Sequence, residues 1–213
     1  MKFYDFGFAP SPTKVRIFIA EKDLKIPIKA VNLGKMEQQQ AEFLEKVPSA
    51  TVPALELDDG TILFESHAIC RYLEEIHPEP NLLGVDAREK ALVVMWHDIA
   101  TLEGYLASQE VLRNDLDAFA NRALPGPQNY EQIKALVERG KKRTDVFFDK
   151  LDARLAESSY VASDRFTYAD IVAYVYREFA NRATGIDPVI GRDNLTCWSE
   201  TIAIRPAVQA AMG

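Results

Sequence analysis

Glu65 and Ser66 stand where a strand-like run, Thr61 to Phe64, gives way to a helix whose apolar stripe is Ile69, Tyr72 or Leu73, and Ile76. A hydroxyl residue at such a junction is suited to be the N-cap, its oxygen accepting from the first turn. The unpaired N–H groups of a helix start attract carboxylates. Upstream, Val52-Pro53 opens a second strand-like run, Pro53 to Leu57. An X-Pro amide can be cis, and that geometry turns the Val52 backbone outward as an edge for an extended ligand. The chemistry these residues imply is recognition of one small peptide, held by its backbone at one end and by its charges at the other.

Several elements must position them. Asp59-Gly60 between the two runs is the two-residue signature of a primed hairpin turn, so the runs should pair antiparallel. Ahead of them the pattern predicts a strand at Lys2 to Phe6, a helix at Pro12 to Lys22, a strand at Ile28 to Asn32 and a polar loop with a helical piece at Gln38 to Lys46. A helix from His67 to Ile76 follows the hairpin. This alternation reads as a thioredoxin-like α/β layer over residues 1–79. His77-Pro78-Glu79-Pro80-Asn81 cannot continue a helix, and residues 80–86 read as a linker.

From 87 to 213 the period is helical throughout, predicting an all-α domain. Ala91, Met95, Ile99, Leu102 and Leu106 mark one long helix, and Ile133, Val137, Thr144, Phe148, Leu151 and Leu155 another, with Leu124-Pro125-Gly126-Pro127 as a break between them. Thr167-x-x-Asp170 has the form of a capping box opening a helix with Ile171, Val175 and Phe179. A short final helix is expected from Thr196 to about Ile204, ending before Arg205-Pro206.

The 213 residues carry a formal net charge of -7 and no long Lys/Arg run, which argues against nucleic acid or an anionic membrane as the partner. No apolar run reaches the roughly 18–20 residues that span a bilayer. The chain opens into a strand without a signal-peptide core, so it is expected to be cytoplasmic. Cys70 and Cys197 have no metal-ligand or redox-pair spacing; both are expected to be buried thiols, and no metal site is expected. His67 and His97 fall within helices and are expected to pack rather than to act as acid or base.

Val-Pro, then Glu-Ser twelve positions on, then Ala68-Ile69-x-x-Tyr72-Leu73 closely resembles the glutathione-binding core of the cytosolic glutathione transferases, in a serine-type or atypical class. The resemblance spans the chain: Met1 to Phe6 looks like the family's first strand, Pro10 to Lys22 like its active-site loop and first helix, and Arg165 to Ile171 like the capping segment of its helical domain. It implies a fold of thioredoxin-like domain plus helical bundle, glutathione as co-substrate, and a homodimer. By this resemblance Glu65 faces the ligand's ammonium, Ser66 its γ-glutamyl carboxylate, and Val52 pairs with the cysteinyl unit with Pro53 holding the geometry. Gln38 is placed at the glycine carboxylate, with Lys35 and Gln39 as neighbours.

The chemistry implied is activation of a thiol. Free thiols titrate near about 8.5, and lowering that by about two units stabilises the thiolate by roughly 2.7 kcal/mol. Ser11 is the first candidate for the stabilising donor, from the strand-to-helix loop. It departs from the family's pattern, lying only three positions before Lys14 and between two prolines. Thr13, backbone N–H groups or a bound water are alternatives, and Ser11 as a plain cap is another. Phe8 from the first domain and Tyr105, Gln109 and Leu112 or Arg113, at helical spacing, are the candidate walls of an electrophile pocket. The expected function is conjugation of the glutathione thiolate to small hydrophobic electrophiles in detoxification. A glutathione-dependent isomerase, peroxidase or dehalogenase, or a non-catalytic scaffold, would share the same binding residues.

Overall fold

The computed structural model describes residues 1–212, and the chain divides into two units. The first comprises Met1–Pro80 with Pro125–Asn129 and the segment from Pro206 onward; the second comprises Asn81–Leu124 and Tyr130–Arg205.

In the first unit, β1 (Lys2–Asp5), α1 (Pro10–Glu21) and β2 (Ile28–Ala30) form a parallel βαβ turn, and β3 (Ala54–Glu56), β4 (Ile62–Phe64) and α3 (Ser66–Ile76) complete it, with α2 (Ala41–Leu44) between the halves. The strand order is β2-β1-β3-β4, with β1 parallel to β2 and antiparallel to β3. Tyr4, Val52 and Ala54 pack with Phe43 and Val47 on one face of the sheet. The pleat sends Phe3 and Leu55, partners in register, to the opposite face. There Val15 and Phe18 of α1 and Ile69 and Leu73 of α3 are wholly buried. This is the thioredoxin-like layer expected from the sequence.

Four local features differ from expectation. The hairpin forms, but its turn is not the two-residue primed kind: Gly60 N–H donates to Leu57 C=O at 3.1 Å and Leu57 N–H to Thr61 C=O at 2.8 Å. Gly60 alone in the loop takes positive φ, at 86°. That combination is a turn closed by a left-handed glycine, since Asp59 stays out of the left-handed region that a primed turn needs at both central positions. Next, β2 stops at Ala30 because Asn32 starts a 3₁₀ turn, its Oδ1 accepting from Lys35 N–H at 3.1 Å. The expected helical piece at Gln38 to Lys46 is split, with Met36 left-handed, Glu37–Gln39 3₁₀ and only Ala41–Leu44 α-helical. Finally, α1 begins at Pro10, earlier than expected, because proline's fixed φ suits a first helical position.

In the second unit, α4 (Ala87–Ile99) runs through a π-helical segment, Ala100–Tyr105, into α5 (Leu106–Asp115); α6 (Ala135–Glu157), α7 (Tyr168–Thr184) and α8 (Asp193–Ala203) follow. The long stripes of α6 and α7 face the core as expected, except that Ile133 lies outside α6 and is exposed. The first stripe is a correction. Met95, Leu102 and Leu106 are exposed, and the buried face is Val93, Trp96, Ala100, Gly104, Ala107 and Val111. A β-carbon on Gly104 would lie 2.6 Å from the Phe147 ring, and one on Gly140 2.7 Å from Ala107 C=O. The α4–α5 side that meets α6 is therefore selected for smallness rather than hydrophobicity.

Two further corrections concern the C-terminal region. Chain beyond Arg205 forms another helix, α9 (Pro206–Met212), which packs on α1 in the first unit. Cys197 is exposed, while Cys70 is buried as expected. The capping box at Thr167 and Asp170 is present. No described helix is long and apolar enough to cross a membrane.

Candidate functional site

The sheet's polarity gathers the candidate residues of the first unit at one end. The ends of β1, β2 and β4 and the start of β3 share that end, and α1 and α3 both begin there. In α/β sheets, ligands bind beyond the carboxyl ends of the strands, where helix N-termini supply unpaired N–H groups.

The register adds detail. Ala54 pairs with Phe64. Extending that ladder by two residues sets Val52 opposite Ser66, so the two residues singled out from sequence are neighbours across the sheet. The Val52-Pro53 bond is cis, and neither the N–H nor the C=O of Val52 makes a hydrogen bond among the described residues. Val52 is thus an open backbone edge at the rim of a sheet.

Glu65, rather than Ser66, is the N-cap of α3, and it adopts φ 70°, ψ 117°. A non-glycine residue in that region is strained by about 1–3 kcal/mol, and such strain clusters at ligand sites. Its side chain is exposed and does not cap the helix. Ser66 is the first helical residue and is buried, and its hydroxyl does not cap the helix. Freed from capping, both side chains are available to a ligand.

Ser11 is not a cap. Ala9 is the N-cap of α1, and Ser11 is the second helical residue, half-buried between Pro10 and Pro12. Neither proline has an N–H, and Thr13 N–H already donates to Ala9 C=O at 3.2 Å. Ser11 therefore contributes the one backbone donor left in this first turn, alongside its hydroxyl. Thr13 is committed: its hydroxyl donates to Ala9 C=O and accepts from Arg16 Nη2, each at 2.8 Å.

Gln38 is buried, with Nε2 3.7 Å from Met36 Sδ and Oε1 lacking any hydrogen-bond partner. A buried amide left unsatisfied calls for a missing partner. Its neighbours differ: Lys35 is exposed, and Gln39 Nε2 donates to Gly126 C=O at 2.9 Å. Phe8 is exposed and meets Phe6 edge-on with centroids 5.8 Å apart. In the helical unit, Tyr105 stacks on Tyr176 at 4.7 Å and accepts from Gln109 Nε2 at 2.8 Å. Arg113 donates to Arg122 C=O at 2.6 Å and lies over the Phe119 ring. Tyr105 and Gln109 thus form a hydrogen-bonded pair, whereas the Arg113 guanidinium, one turn further along α5, is directed to Arg122 and Phe119. His97 stacks on Tyr168, in keeping with a packing role.

Lys14 is a site residue that sequence reasoning passed over. It lies in α1, 2% exposed, with Glu65 and Cys70 as its charge partners. Burial pushes its pKa from 10.5 down to about 8, against the opposing pull of Cys70 and Glu65. The signal was available: Lys14 falls on the same helical face as Ile17 and Phe18, three and four residues on.

This burial gives a pH prediction. Below pH 8 folded and unfolded chains both carry the proton, and the folded one bears the full desolvation cost, roughly 3 kcal/mol at 1.36 per pKa unit. Between about 8 and 10.5 the folded chain releases its proton first, so wild-type stability rises relative to a neutral variant. Lys14→Met is expected to be more stable than wild type in urea at pH 7, with the gap closing by pH 10. An unchanged gap across that range would show that Lys14 is not carrying a desolvated charge.

A parallel βαβ turn, an antiparallel hairpin with a cis proline before its first strand, and a separate all-helical unit define a thioredoxin-like domain joined to a helical domain. The chain belongs to the glutathione S-transferase family. The model of the family's N-terminal domain matches residues 8–76 and that of its C-terminal domain residues 95–206. Glutathione S-transferase 2 of Saccharomyces cerevisiae is 32% identical over 214 residues, covering 98% of this chain and 88% of that protein. The crystal structure of Gtt2 from the same yeast superposes with a TM-score of 0.90 at 31% identity, covering 99% of this chain and 100% of that one. A Gtt2-class glutathione S-transferase of Vibrio parahaemolyticus gives 0.84 at 33% identity over 99% and 96% of the two chains.

Proposed function

We propose that this protein is a glutathione transferase that adds the glutathione thiolate to small hydrophobic electrophiles. The observation that carries the reading is the open Val52 edge set opposite Ser66 at the strained start of α3. An extended γ-glutamyl tripeptide suits this arrangement: its cysteinyl backbone adds to Val52, its γ-glutamyl carboxylate meets Ser66 and the α3 N–H groups, and its ammonium meets Glu65. Pro53 holds the edge open. Gln38 receives the glycine carboxylate through its Nε2 N–H groups, which meet only the weak Met36 Sδ acceptor at 3.7 Å.

Ser11 then stabilises the thiolate through its hydroxyl and its N–H, the donors that the two prolines leave in that turn. Tyr105, Gln109 and Arg113 of the helical unit are assigned to the electrophile, as an aromatic surface with polar handles. The exposed stripe of Val94, Met95, Leu102 and Leu106 is read as the face that meets a second copy in a homodimer, which light scattering would test. A detoxifying role in the cytoplasm follows from this reading.

The deciding measurement is the ultraviolet thiolate absorbance of bound glutathione against pH. The wild-type complex is expected to titrate about two units below the free thiol's 8.5 or so. Ser11→Ala is expected to raise that value by about one unit and to slow conjugation about tenfold or more, because one of two converging donors is lost. An unshifted wild-type thiol would favour a binding scaffold, and a shift that survives the substitution would remove Ser11 from the mechanism.

A further inference from the structure

Arg16 lies one turn beyond Ser11 on α1, and its side chain is 14% exposed. Its guanidinium is engaged on every edge. Nη1 donates to Asp5 Oδ1, at the end of β1, at 2.6 Å. Nη2 donates to Gly7 C=O in the loop and to Thr13 Oγ1, both at 2.8 Å, and Nε donates to Ala211 C=O in the last turn of α9 at 3.2 Å. Thr13 Oγ1 in turn donates to Ala9 C=O. One side chain therefore grips the β1–α1 loop at Asp5 and Gly7 directly and at Ala9 through Thr13. It brackets the segment that carries Phe8 and leads into Ser11.

We propose that Arg16 is a positioning residue for the thiolate site and that α9 holds it in place, so that the C-terminal helix sets the conformation of the loop leading to Ser11. The planar fork of arginine matches this arrangement, because its acceptors lie in different directions and each takes its own N–H. The last carbonyls of a helix lack intrahelical donors and carry its negative end, so α9 offers a matched acceptor for a cation. Val208, 1% exposed, anchors α9. Without α9 the guanidinium loses one of its fixed directions and the loop loses its brace. The proposal rests on the transferase reading only for its effect on catalysis, since the bracing is a property of the unliganded chain.

The test uses two readouts. Hydrogen exchange of the Ala9 and Thr13 amides, which donate to Phe6 and Ala9 carbonyls, reports the loop without ligand. Arg16→Gln is expected to speed both by about tenfold or more while amides in the body of α3 stay protected. Deletion of residues 206–213, or the milder Val208→Ala should the deletion not fold, is expected to act in the same direction. Adding Arg16→Gln to the α9 variant is expected to change little further, because the two act as one unit.

In turnover, kcat is expected to fall about tenfold with KM for glutathione within about threefold, since Val52, Glu65 and Ser66 lie outside the clamp. Arg16→Lys, keeping charge without the fork, is expected not to restore it. Folded variants with wild-type exchange at Ala9 and Thr13 would overturn the proposal, as would exchange that responds to Arg16 but not to α9. An unshifted glutathione thiol in the wild type removes the transferase reading instead, and the exchange readout still decides the clamp.

Discussion

Asp170→Ala is expected to cost about 4 kcal/mol, lowering Tm by about 10–15 °C in a chain of this size. The magnitude follows from counting the donors that lose an acceptor. Oδ1 accepts from Val161 N–H at 2.9 Å and from Trp198 Nε1 at 3.1 Å; Oδ2 accepts from Thr167 N–H at 2.9 Å and from Thr167 Oγ1 at 3.1 Å. Asp170, Val161 and Thr167 are all 0% exposed, so little water can replace the carboxylate. Each buried donor left unsatisfied costs about 1–3 kcal/mol, beyond the roughly 1 kcal/mol of an ordinary lost cap. Burial pushes the Asp170 carboxyl above its usual range, while these donors pull it back.

Asp170→Asn is expected to rescue little. Both oxygens face N–H groups, so an amide nitrogen at either position meets donors rather than acceptors. Urea unfolding of the two variants checks this. A loss below about 1 kcal/mol in Asp170→Ala would mean that the segment repacks around a water, and a stable Asn variant would mean that one oxygen is dispensable.

Lys22→Ala is expected to lose a similar 3–5 kcal/mol, through the first unit rather than the second. The Lys22 side chain is 0% exposed, and its ammonium lies 2.7 Å from Glu74 Oε2, 2.6 Å from His77 C=O and 2.9 Å from Pro80 C=O, above the Phe18 ring. Two of its N–H groups donate to those carbonyls, and its charge pairs with the Glu74 carboxylate. One side chain ties the end of α1 to the last turn of α3 and to the chain leaving it. Removing it strands Glu74, 9% exposed, as a buried charge without its cation and leaves two carbonyls unpaired.

A cycle separates these contributions. Lys22→Met combined with Glu74→Leu is expected to be more stable than Lys22→Met alone, because the second change removes the stranded charge. Additive losses would show that the ion pair contributes little and that packing or the carbonyl contacts dominate.

The parts of this protein that were readable before folding are those in which a residue acts through its neighbours in the chain. The capping box needs only Thr167 and Asp170 three positions apart, the hairpin needs a left-handed glycine between two strand-like runs, and α3 needs an apolar stripe after Glu65-Ser66. The cis bond at Pro53 was readable through the resemblance, since X-Pro bonds are usually trans. The layered order of the first unit followed from the same local periods.

Elsewhere the outcome depended on contacts between elements distant in the chain. Met95, Leu102 and Leu106 make a convincing stripe, yet they face outward, because α6 approaches too closely for anything but Gly104, Ala107 and Ser108 on the inner side. Hydropathy does not register smallness. Prolines on both sides moved Ser11 from a cap to the second helical position and made its N–H the remaining donor of its turn. Lys14 and Lys22 read as ordinary basic residues of an amphipathic helix until α3 packed over them. The clamp of Arg16 closes over a chain separation of 195 residues, a loop closure that no local pattern can encode. Peptide recognition at Val52, Glu65 and Ser66 was therefore legible in short-range chemistry, whereas the placement and bracing of the thiolate donor was decided by burial and long-range packing.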